Sequence, residues 1–186
     1  MDIGEAHRLD RRPETGTWFR ALRLRHWETL LDTAHSSVRR SRFSAADAVN
    51  PGYRIAYFGQ THQLTLHEVR ALLGDPSAPV PDPRGSWMIL SLVLVLDNVV
   101  DLCNSESQRI LKTNHQELTG NWDNPTQGIP TQSLGRALHD LPEVEGFLYP
   151  SSLVDGRCLA VFPDKLGARS SITFFNEMTN REEWMT

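Results

Sequence analysis

Runs of apolar residues predict a sheet that draws strands from most of the chain. Residues 17–22, TWFRAL, alternate so that Trp18, Arg20 and Leu22 share one face of a strand. Residues 87–96, WMILSLVLVL, are too uniformly apolar for a half-exposed strand and predict one that is buried on both faces. Further strands are predicted at residues 53–59, 146–150, 157–163 and 168–175.

Helical spacing predicts short helices between these strands. They cover residues 26–34, 61–73, 105–112 and 131–139. Residues 113–130 are rich in turn-forming residues and predict an irregular segment. This order of elements favours an α+β fold with a mixed, largely antiparallel sheet and short helices over a doubly wound fold.

Length and polarity predict one domain with a polar segment on each side. A chain of 186 residues is long enough for one domain with its own core. Residues 1–16 are polar and without apolar period, which predicts a flexible N-terminal arm. Residues 17–175 form the predicted domain, and residues 176–186 form a tail that is polar apart from Trp184 and Met185.

Composition and charge narrow the functional classes. The chain is 39% hydrophobic and 23% charged, which is typical of a soluble globular protein. Its net charge of -4 and pI of about 6.0 disfavour a nucleic-acid-binding surface, which usually has a high pI. The cationic excess within residues 1–54 is mostly arginine and suits a phosphate pocket better.

The sequence gives no sign of export, of a membrane span or of a metal site. The opening residues lack the apolar core of a signal peptide, and the longest apolar run, residues 88–96, is too short to span a bilayer. Cys103 and Cys158 lack metal-binding spacing and are expected to be free thiols. We therefore expect a cytoplasmic protein with no membrane partner and no metal.

Residues 39–68 bring cations and a carboxylate close together in the sequence. Arg42 belongs to an arginine cluster, Tyr57 lies in a short apolar run, and Glu68 falls in a predicted helix. Arginine can grip phosphate oxygens with its planar fork of donors, and a carboxylate can act on a sugar. The stretch therefore suggests a nucleotide substrate, although a dinucleotide fingerprint, a phosphate-binding P-loop and a GxSxG motif are absent from the sequence.

Each candidate residue also has a structural explanation. Thr65 and Glu68 fit the capping box TxxE, in which the glutamate satisfies a backbone N–H at the start of a helix, and local pattern alone favours this role. Arg20 is equally compatible with a snorkelling position at a sheet edge and with ligand binding. Ser151 and Ser152 follow a proline and indicate a turn.

Several short motifs occur in a characteristic order between residues 17 and 162. They are WFR, RF, AYFGQT followed by TLHE, TQSLG, and GFLYPSS. In this order and spacing the chain resembles the RES-domain family of bacterial toxins. The resemblance implies a fold like that of the ADP-ribosyltransferases of the diphtheria-toxin type. It also implies NAD+ degradation by phosphorolysis or hydrolysis, and an Xre-like antitoxin partner that covers the active site.

The resemblance also assigns roles to five residues. It places Arg42, Glu68 and Ser151 in catalysis, and it places Arg20, Arg42, Tyr57 and Ser151 in contact with NAD+. Glu68 would stabilise the positive charge that develops on the ribose during cleavage, and Ser151 would bond the substrate or incoming phosphate. No cofactor is implied, because NAD+ is the substrate and phosphate a co-substrate in the phosphorolytic reaction.

Two other functions stay open at this stage. The same pocket could transfer ADP-ribose to a protein instead of to phosphate or water. A non-enzymatic module with a basic groove for RNA or a protein is the other alternative. The acidic overall charge and the lack of a regular aromatic and basic pattern argue against this binding module.

Overall fold

A computed structural model describes residues 1–122, 129–177 and 179–185. The strands are β1 Arg11–Arg23, β2 Ala56–Gly59, β3 Leu72–Leu73, β4 Val80–Pro81, β5 Trp87–Asp101, β6 Gly146–Pro150, β7 Arg157–Val161, β8 Ser171–Asn176 and β9 Arg181–Trp184. The α-helices are α1 His62–Glu68, α2 Ser105–Ile110, α3 His115–Thr119 and α4 Pro130–Asp140. Short 3-10 helices occur at Ile3–Arg8, Leu24–Thr29, Ala34–Val38 and Pro163–Lys165. Short helices combined with a sheet confirm the predicted α+β class.

The main sheet of the described chain is mixed and closes on itself. Its strand order is β1-β2-β7-β6-β5-β8-β9, and β1 also pairs with β5. Strands β5 and β6 run parallel, whereas the other neighbouring pairs in this order, and β1 with β5, are antiparallel. Strands β3 and β4 form a separate two-stranded sheet.

Strand β5 alternates between a buried and a more open face, so the prediction of a strand buried on both faces was wrong. Leu90, Leu92, Leu94 and Leu96 are buried, whereas Val93 is 51% exposed. Valine favours the extended backbone whether or not it is covered, so an apolar run of leucine and valine does not reveal which side faces solvent.

The first sixteen residues are ordered elements of the fold, in contrast to the predicted flexible arm. Ala6 and Leu9 are buried in the core, and β1 begins at Arg11 and pairs with β5 along almost its whole length. Backbone pairing holds this polar stretch, assisted by an ion pair between Arg12 and Asp101. Strand pairing of this kind needs no apolar period in the sequence, which is why the pattern missed it.

The predicted tail also contains a strand. Residues Arg181–Trp184 form β9, which pairs with β8 in a hairpin, and the Met185 backbone N–H continues the ladder by donating to the Ile172 carbonyl at 3.0 Å. Met185 is buried although most of its neighbours in this segment are polar. The apolar residues of this segment are too few to show the period of a strand, so the sequence pattern does not predict β9.

Two hydrophobic clusters cover the two faces of the sheet. One lies under α4 and contains Phe43, Leu134 and Phe147, and the other contains Trp18 and Leu92. Successive residues of β6 and β7 point alternately into the two clusters, as the period of a strand requires. The sheet is therefore the centre of the core, with helices on its flanks.

The predicted helices differ from the observed ones mainly in length. Those at residues 105–112 and 131–139 are confirmed as α2 and α4, whereas the helix predicted at 61–73 ends at Glu68 and the one at 26–34 is only a turn of 3-10 helix. The irregular segment predicted at 113–130 includes α3, and its residues 123–128 lie outside the described residues. No helix in the described part of the chain is long and apolar enough to cross a membrane.

Candidate active site

A cavity of about 670 Å³ opens between β1, β2, α1 and the loops that follow β1. Arg20, Arg42, Tyr57 and Glu68 all line it. Ser151 is not among the lining residues, but it contacts Glu68 from behind. The fold therefore brings together the five residues predicted for the site, although they are up to 131 positions apart in sequence.

Arg42 is directed toward the cavity because its neighbour Phe43 is fixed in the core. The Phe43 side chain is fully buried and makes edge-to-face contacts with Phe147 and Tyr149, at 4.7 and 4.8 Å between ring centroids. The Tyr53 hydroxyl donates to the Phe43 carbonyl. Arg42 and Phe43 are the central residues of a turn that is closed by backbone hydrogen bonds between Ser41 and Ser44, and this turn leaves Phe43 in the core and Arg42 at the cavity.

Helix α4 holds the same segment from the opposite side. Thr131 donates a hydrogen bond from its hydroxyl to the Arg42 carbonyl at 2.8 Å, and the Gln132 side-chain amide donates to the Ser41 carbonyl at 2.9 Å. A Cβ at Gly135 would overlap the Phe43 carbonyl oxygen, so the helix can approach this closely only with glycine there. These contacts explain the TQSLG motif as a support for the Arg42 segment.

The Arg42 guanidinium ties the C-terminal end of α3 to the loop that follows β6. Its Nη1 donates to the carbonyls of Leu118 and Gly120 at 3.1 and 3.0 Å, and its Nη2 donates to the Ser152 hydroxyl at 3.0 Å. Three of the five N–H donors of the guanidinium are thereby committed within the described residues. Arg42 thus has a structural role in addition to any contact with a ligand.

Glu68 lies at the C-terminal end of α1, so the predicted capping role at a helix start was wrong. The helix begins after Thr61, whose side chain caps it by accepting from the Leu64 backbone N–H. A carboxylate at a helix C-terminus is locally unfavourable, because the helix dipole is negative there. Residues that break a local rule in this way tend to serve a functional site.

Helix α1 is held against the sheet so that Glu68 faces the cavity. The Thr65 hydroxyl donates to the Thr61 carbonyl at 2.7 Å and lies 3.4 Å from the Phe19 carbonyl of β1. Gly59 permits this approach, since a Cβ there would overlap Thr65. Residues three apart lie on the same helix face, so the contact at Thr65 fixes the direction of Glu68.

Ser151 fixes the Glu68 carboxylate. Its hydroxyl donates to Glu68 Oε1 at 2.5 Å and accepts the backbone N–H groups of Leu153 and Val154 at 3.2 and 3.3 Å. The single hydroxyl proton is thus directed to Glu68. Ser151 is buried and reaches the cavity only through this carboxylate.

Tyr57 lines the cavity beside the Arg42 segment. Its hydroxyl forms a hydrogen bond with the Ser41 hydroxyl at 2.7 Å, and its ring meets Tyr149 edge to face. Burial raises the pKa of Tyr57 to about 12, although the Ser41 hydrogen bond opposes the shift. The phenol is therefore neutral at physiological pH and offers a ring face and a hydroxyl.

Arg20 is buried next to the cavity, and no carboxylate of the described residues is in direct contact with it. Its side chain is 6% exposed, and within the described residues it forms no ion pair within 4.0 Å. Burial lowers the pKa of Arg20 to about 10, and the charge of the nearby Asp32 opposes the shift. Arg20 is still protonated at neutral pH, so an uncompensated cation lies at the cavity wall.

Further basic side chains and a buried thiol complete the lining. Arg25, His26, His35 and Arg39 lie toward the Arg20 end, where burial and the charge of Arg20 lower the pKa of His35. Cys158 lies in the wall, and burial followed by the charge of Glu68 raises the pKa of its thiol, so it is a poor nucleophile. Neither cysteine forms a disulfide, as predicted. The described residues contain no cluster of three metal-ligating side chains.

Sequence reasoning missed three residues that support the site. Ser41 positions Tyr57, Ser152 contacts Arg42, and Gly135 lets α4 approach the Phe43 segment. Gly135 carried a signal, because glycine inside a helix costs about 1 kcal/mol and often marks a close approach of another segment. Ser41 and Ser152 carried none, since polar residues beside candidate site residues are common in loops.

Comparisons with known proteins found a similar solved structure and a matching family model. A crystal structure described as the M. tuberculosis MbcT-MbcA toxin-antitoxin complex contains a chain that superposes with a TM-score of 0.68 at 14% identity, over 99% of this chain and 91% of that one. No curated protein matches the chain in sequence. The sequence model of the RES domain matches residues 17–177. The chain therefore belongs to the RES domain family.

Proposed function

We propose that this protein is a toxin that depletes NAD+ by cleaving the bond between nicotinamide and ribose, with phosphate or water as the acceptor. The proposal is carried by one observation above the others. The same cavity is lined by a carboxylate that a buried serine fixes and by Arg20, which forms no ion pair with any described residue. The cavity volume of about 670 Å³ is within the range of about 300–1,000 Å³ usual for small-molecule sites.

The arginine end of the cavity suits the pyrophosphate of NAD+. Arg20 is an uncompensated cation, and the neighbouring Arg25 and Arg39 add positive charge. A guanidinium can bond two oxygens of a phosphate group at once, which fixes both position and orientation. Arg42 has two N–H donors left after its contacts with the loops, so it can contribute to binding from the opposite side.

The Glu68 end suits the ribose that loses nicotinamide. When this glycosidic bond breaks, positive charge develops on the ribose as in other reactions that pass through an oxocarbenium-like transition state. A fixed carboxylate stabilises that charge without reorganisation during the reaction. Nicotinamide is cationic in NAD+ and leaves as a neutral molecule, so its departure requires no general acid. Tyr57 offers a ring face for the nicotinamide or the ribose.

The contacts of Ser151 favour a role different from the predicted one. Its proton is directed to Glu68 and its lone pairs accept two backbone N–H groups, which leaves little capacity for the substrate or phosphate. We therefore assign Ser151 to positioning Glu68. The acceptor, phosphate or water, would approach from the open side of the cavity.

The toxin assignment rests on the family and on the structural neighbour. The neighbour is a chain of a complex that is named as a toxin with its antitoxin. By analogy we propose an antitoxin partner of the Xre-like type, which would control the activity by covering the cavity, and a fold related to the ADP-ribosyltransferases of the diphtheria-toxin type. Fold analogy alone does not specify the product.

The experiment that tests this proposal is product analysis. Purified protein, freed of any inhibitor, is incubated with NAD+ in phosphate buffer and in phosphate-free buffer. Phosphorolysis gives ADP-ribose 1″-phosphate and nicotinamide in phosphate alone, whereas hydrolysis gives ADP-ribose and nicotinamide in both. Label from NAD+ on a protein would indicate ADP-ribose transfer instead. NAD+ that stays intact in both buffers for hours contradicts the proposal.

A further inference from the structure

The hairpin formed by β8 and β9 reaches the cavity wall through one side chain. Met185 follows β9, and its backbone N–H donates to the Ile172 carbonyl at 3.0 Å. Its side chain is 5% exposed and belongs to the same hydrophobic cluster as Trp18 and Leu90. Arg20 lies on the same face of β1 as Trp18, two positions along the strand, and is paired with Leu90 of β5. Met185 therefore borders the buried arginine on its core side.

The contact between the two residues is direct but weak. Arg20 Nη1 lies 3.9 Å from the Met185 sulfur and donates to it. A thioether is a poor hydrogen-bond acceptor and carries no charge. It can pack against the guanidinium and limit its movement without neutralising it. A carboxylate in the same place would form an ion pair and reduce the attraction of Arg20 for an anion in the cavity.

We propose that Met185 is a positioning residue for Arg20, which keeps the guanidinium directed at a pyrophosphate-containing ligand while leaving its charge uncompensated. The ligand class rests on the proposed function. The role of Met185 goes beyond the proposed function, because it involves a part of the chain outside the family match. Met185 and β9 lie after residue 177, where that match ends. A segment outside the family match would thus contribute to the affinity of the site.

Three features support a role beyond filling space. First, the side chain that touches Arg20 is apolar, whereas β9 itself is strongly polar with the sequence REEW. Second, two glutamates of the hairpin, Glu182 and Glu183, come just before Met185 in the chain, yet neither forms an ion pair with Arg20 within the described residues. Third, the charge of Asp32 acts on Arg20, and among the described residues Asp32 lines the cavity and does not belong to the hairpin. The hairpin thus presents sulfur, and not charge, to the arginine.

The test uses variants of the full chain and inorganic pyrophosphate as the probe, measured by titration calorimetry. Met185→Glu and Met185→Gln have the same size and differ only in charge. We expect Met185→Glu to bind pyrophosphate about tenfold more weakly than Met185→Gln, as for a close charge pair that competes with the ligand. Trp184→Glu is the matched control, since it adds the same charge at a neighbouring position that is 57% exposed. The affinity of Trp184→Glu for pyrophosphate should equal that of the unchanged protein.

A second pair of variants tests whether packing of residue 185 against Arg20 supports binding. This pair also keeps the inference testable if Met185→Glu does not fold. Met185→Leu keeps the volume and loses the sulfur, whereas Met185→Ala leaves a space beside Arg20. We expect Met185→Ala to bind pyrophosphate at least about threefold more weakly than Met185→Leu, because a loosened guanidinium loses entropy on binding. In turnover of NAD+, the KM should rise and kcat should stay nearly constant for the same variants.

The outcomes separate this inference from the proposed function. If pyrophosphate binding depends on residue 185 but NAD+ is not cleaved, the proposed reaction is wrong and the positioning role stands. Equal affinity of folded Met185→Glu and Met185→Gln would overturn the inference. So would equal affinity of the Ala and Leu variants, or a failure of the unchanged protein to bind pyrophosphate.

Discussion

The hydroxyl of Ser151 donates a 2.5 Å hydrogen bond to the carboxylate of Glu68, a residue 83 positions earlier in the chain. The same hydroxyl oxygen accepts the backbone N–H groups of Leu153 and Val154, which hold it at the start of the loop after β6. The pair connects α1 to this loop and fixes the orientation of the acid at the cavity wall.

Replacing Ser151 by alanine should reduce turnover more than substrate binding. Without the hydroxyl, Glu68 loses its described donor and can rotate away from the ribose. We expect kcat for NAD+ loss to fall about 10- to 100-fold with a small change in KM, since small misplacements of a catalytic group have effects of this order. Ser152→Ala, which removes the adjacent hydroxyl that contacts Arg42, should lower kcat less. Equal kcat values for Ser151→Ala and the unchanged protein would contradict the positioning role.

Replacing Glu68 by glutamine should leave the protein as stable as before or slightly more stable. The substitution removes a negative charge from the C-terminal end of α1, where the helix dipole disfavours it by about 0.3–1 kcal/mol. The amide can still accept from Ser151. The free energy of unfolding, measured by urea denaturation, should therefore change by less than about 1 kcal/mol. A loss of several kcal/mol would show that Glu68 is mainly a structural residue.

Replacing Arg42 by alanine should lower stability as well as activity. The guanidinium donates to two carbonyls and one hydroxyl, and these acceptors lie at the C-terminal end of α3 and in the loop after β6. We expect a loss of about 1–3 kcal/mol in the free energy of unfolding. Arg109→Ala is a suitable control, because it removes an exposed arginine that pairs with Glu106 within α2 and should cost less than about 0.5 kcal/mol. Similar losses for the two variants would refute the structural role of Arg42.

Glu145 should make the stability depend on pH in the acid range. Burial raises the pKa of Glu145, but hydrogen bonds from Ser170 and from the backbone of Gly167, Asn98 and Asp97 outweigh it, so the pKa is below its usual value. A lowered pKa in the folded state stabilises the protein above the unfolded pKa of about 4.3, and this contribution is lost as the pH falls through the folded value.

The measurement is urea denaturation between about pH 3 and pH 7. The unchanged protein should exceed Glu145→Gln in the free energy of unfolding by about 2 kcal/mol near neutral pH, and the difference should shrink as the solution is acidified below about pH 4. Glu143→Gln, at an exposed ion pair with Arg11, should show a much smaller difference. A constant difference across the whole range would rule out the lowered pKa of Glu145.

The hydrophobic pattern of the sequence predicts the fold class, but it does not predict the strands that form in polar segments. Three strands after residue 140 and helices α2 and α4 were predicted because their side chains alternate or repeat on one face. The N-terminal half of β1 and the whole of β9 are held mainly by backbone hydrogen bonds, which leave no period in the sequence. Strands of this kind can be identified only when the strand with which they pair is known.

The location of the site could be predicted only from the family resemblance. On local pattern alone, Glu68 was a helix cap and Ser151 a turn residue, and it took the ordered motifs to connect them. The roles of Ser151 and Met185 needed the structure, because both depend on contacts between segments more than 80 positions apart. No spacing rule links residues across such distances.

The measurement that tests the account most directly is the loss of NAD+ in the presence of equal amounts of the unchanged protein and of Glu68→Gln, followed by chromatography. The unchanged protein should consume NAD+ and release one nicotinamide for each NAD+ lost. Glu68→Gln, folded to the same extent, should slow this loss at least about 100-fold. NAD+ consumption at equal rates by the two proteins, or by neither, would contradict the account.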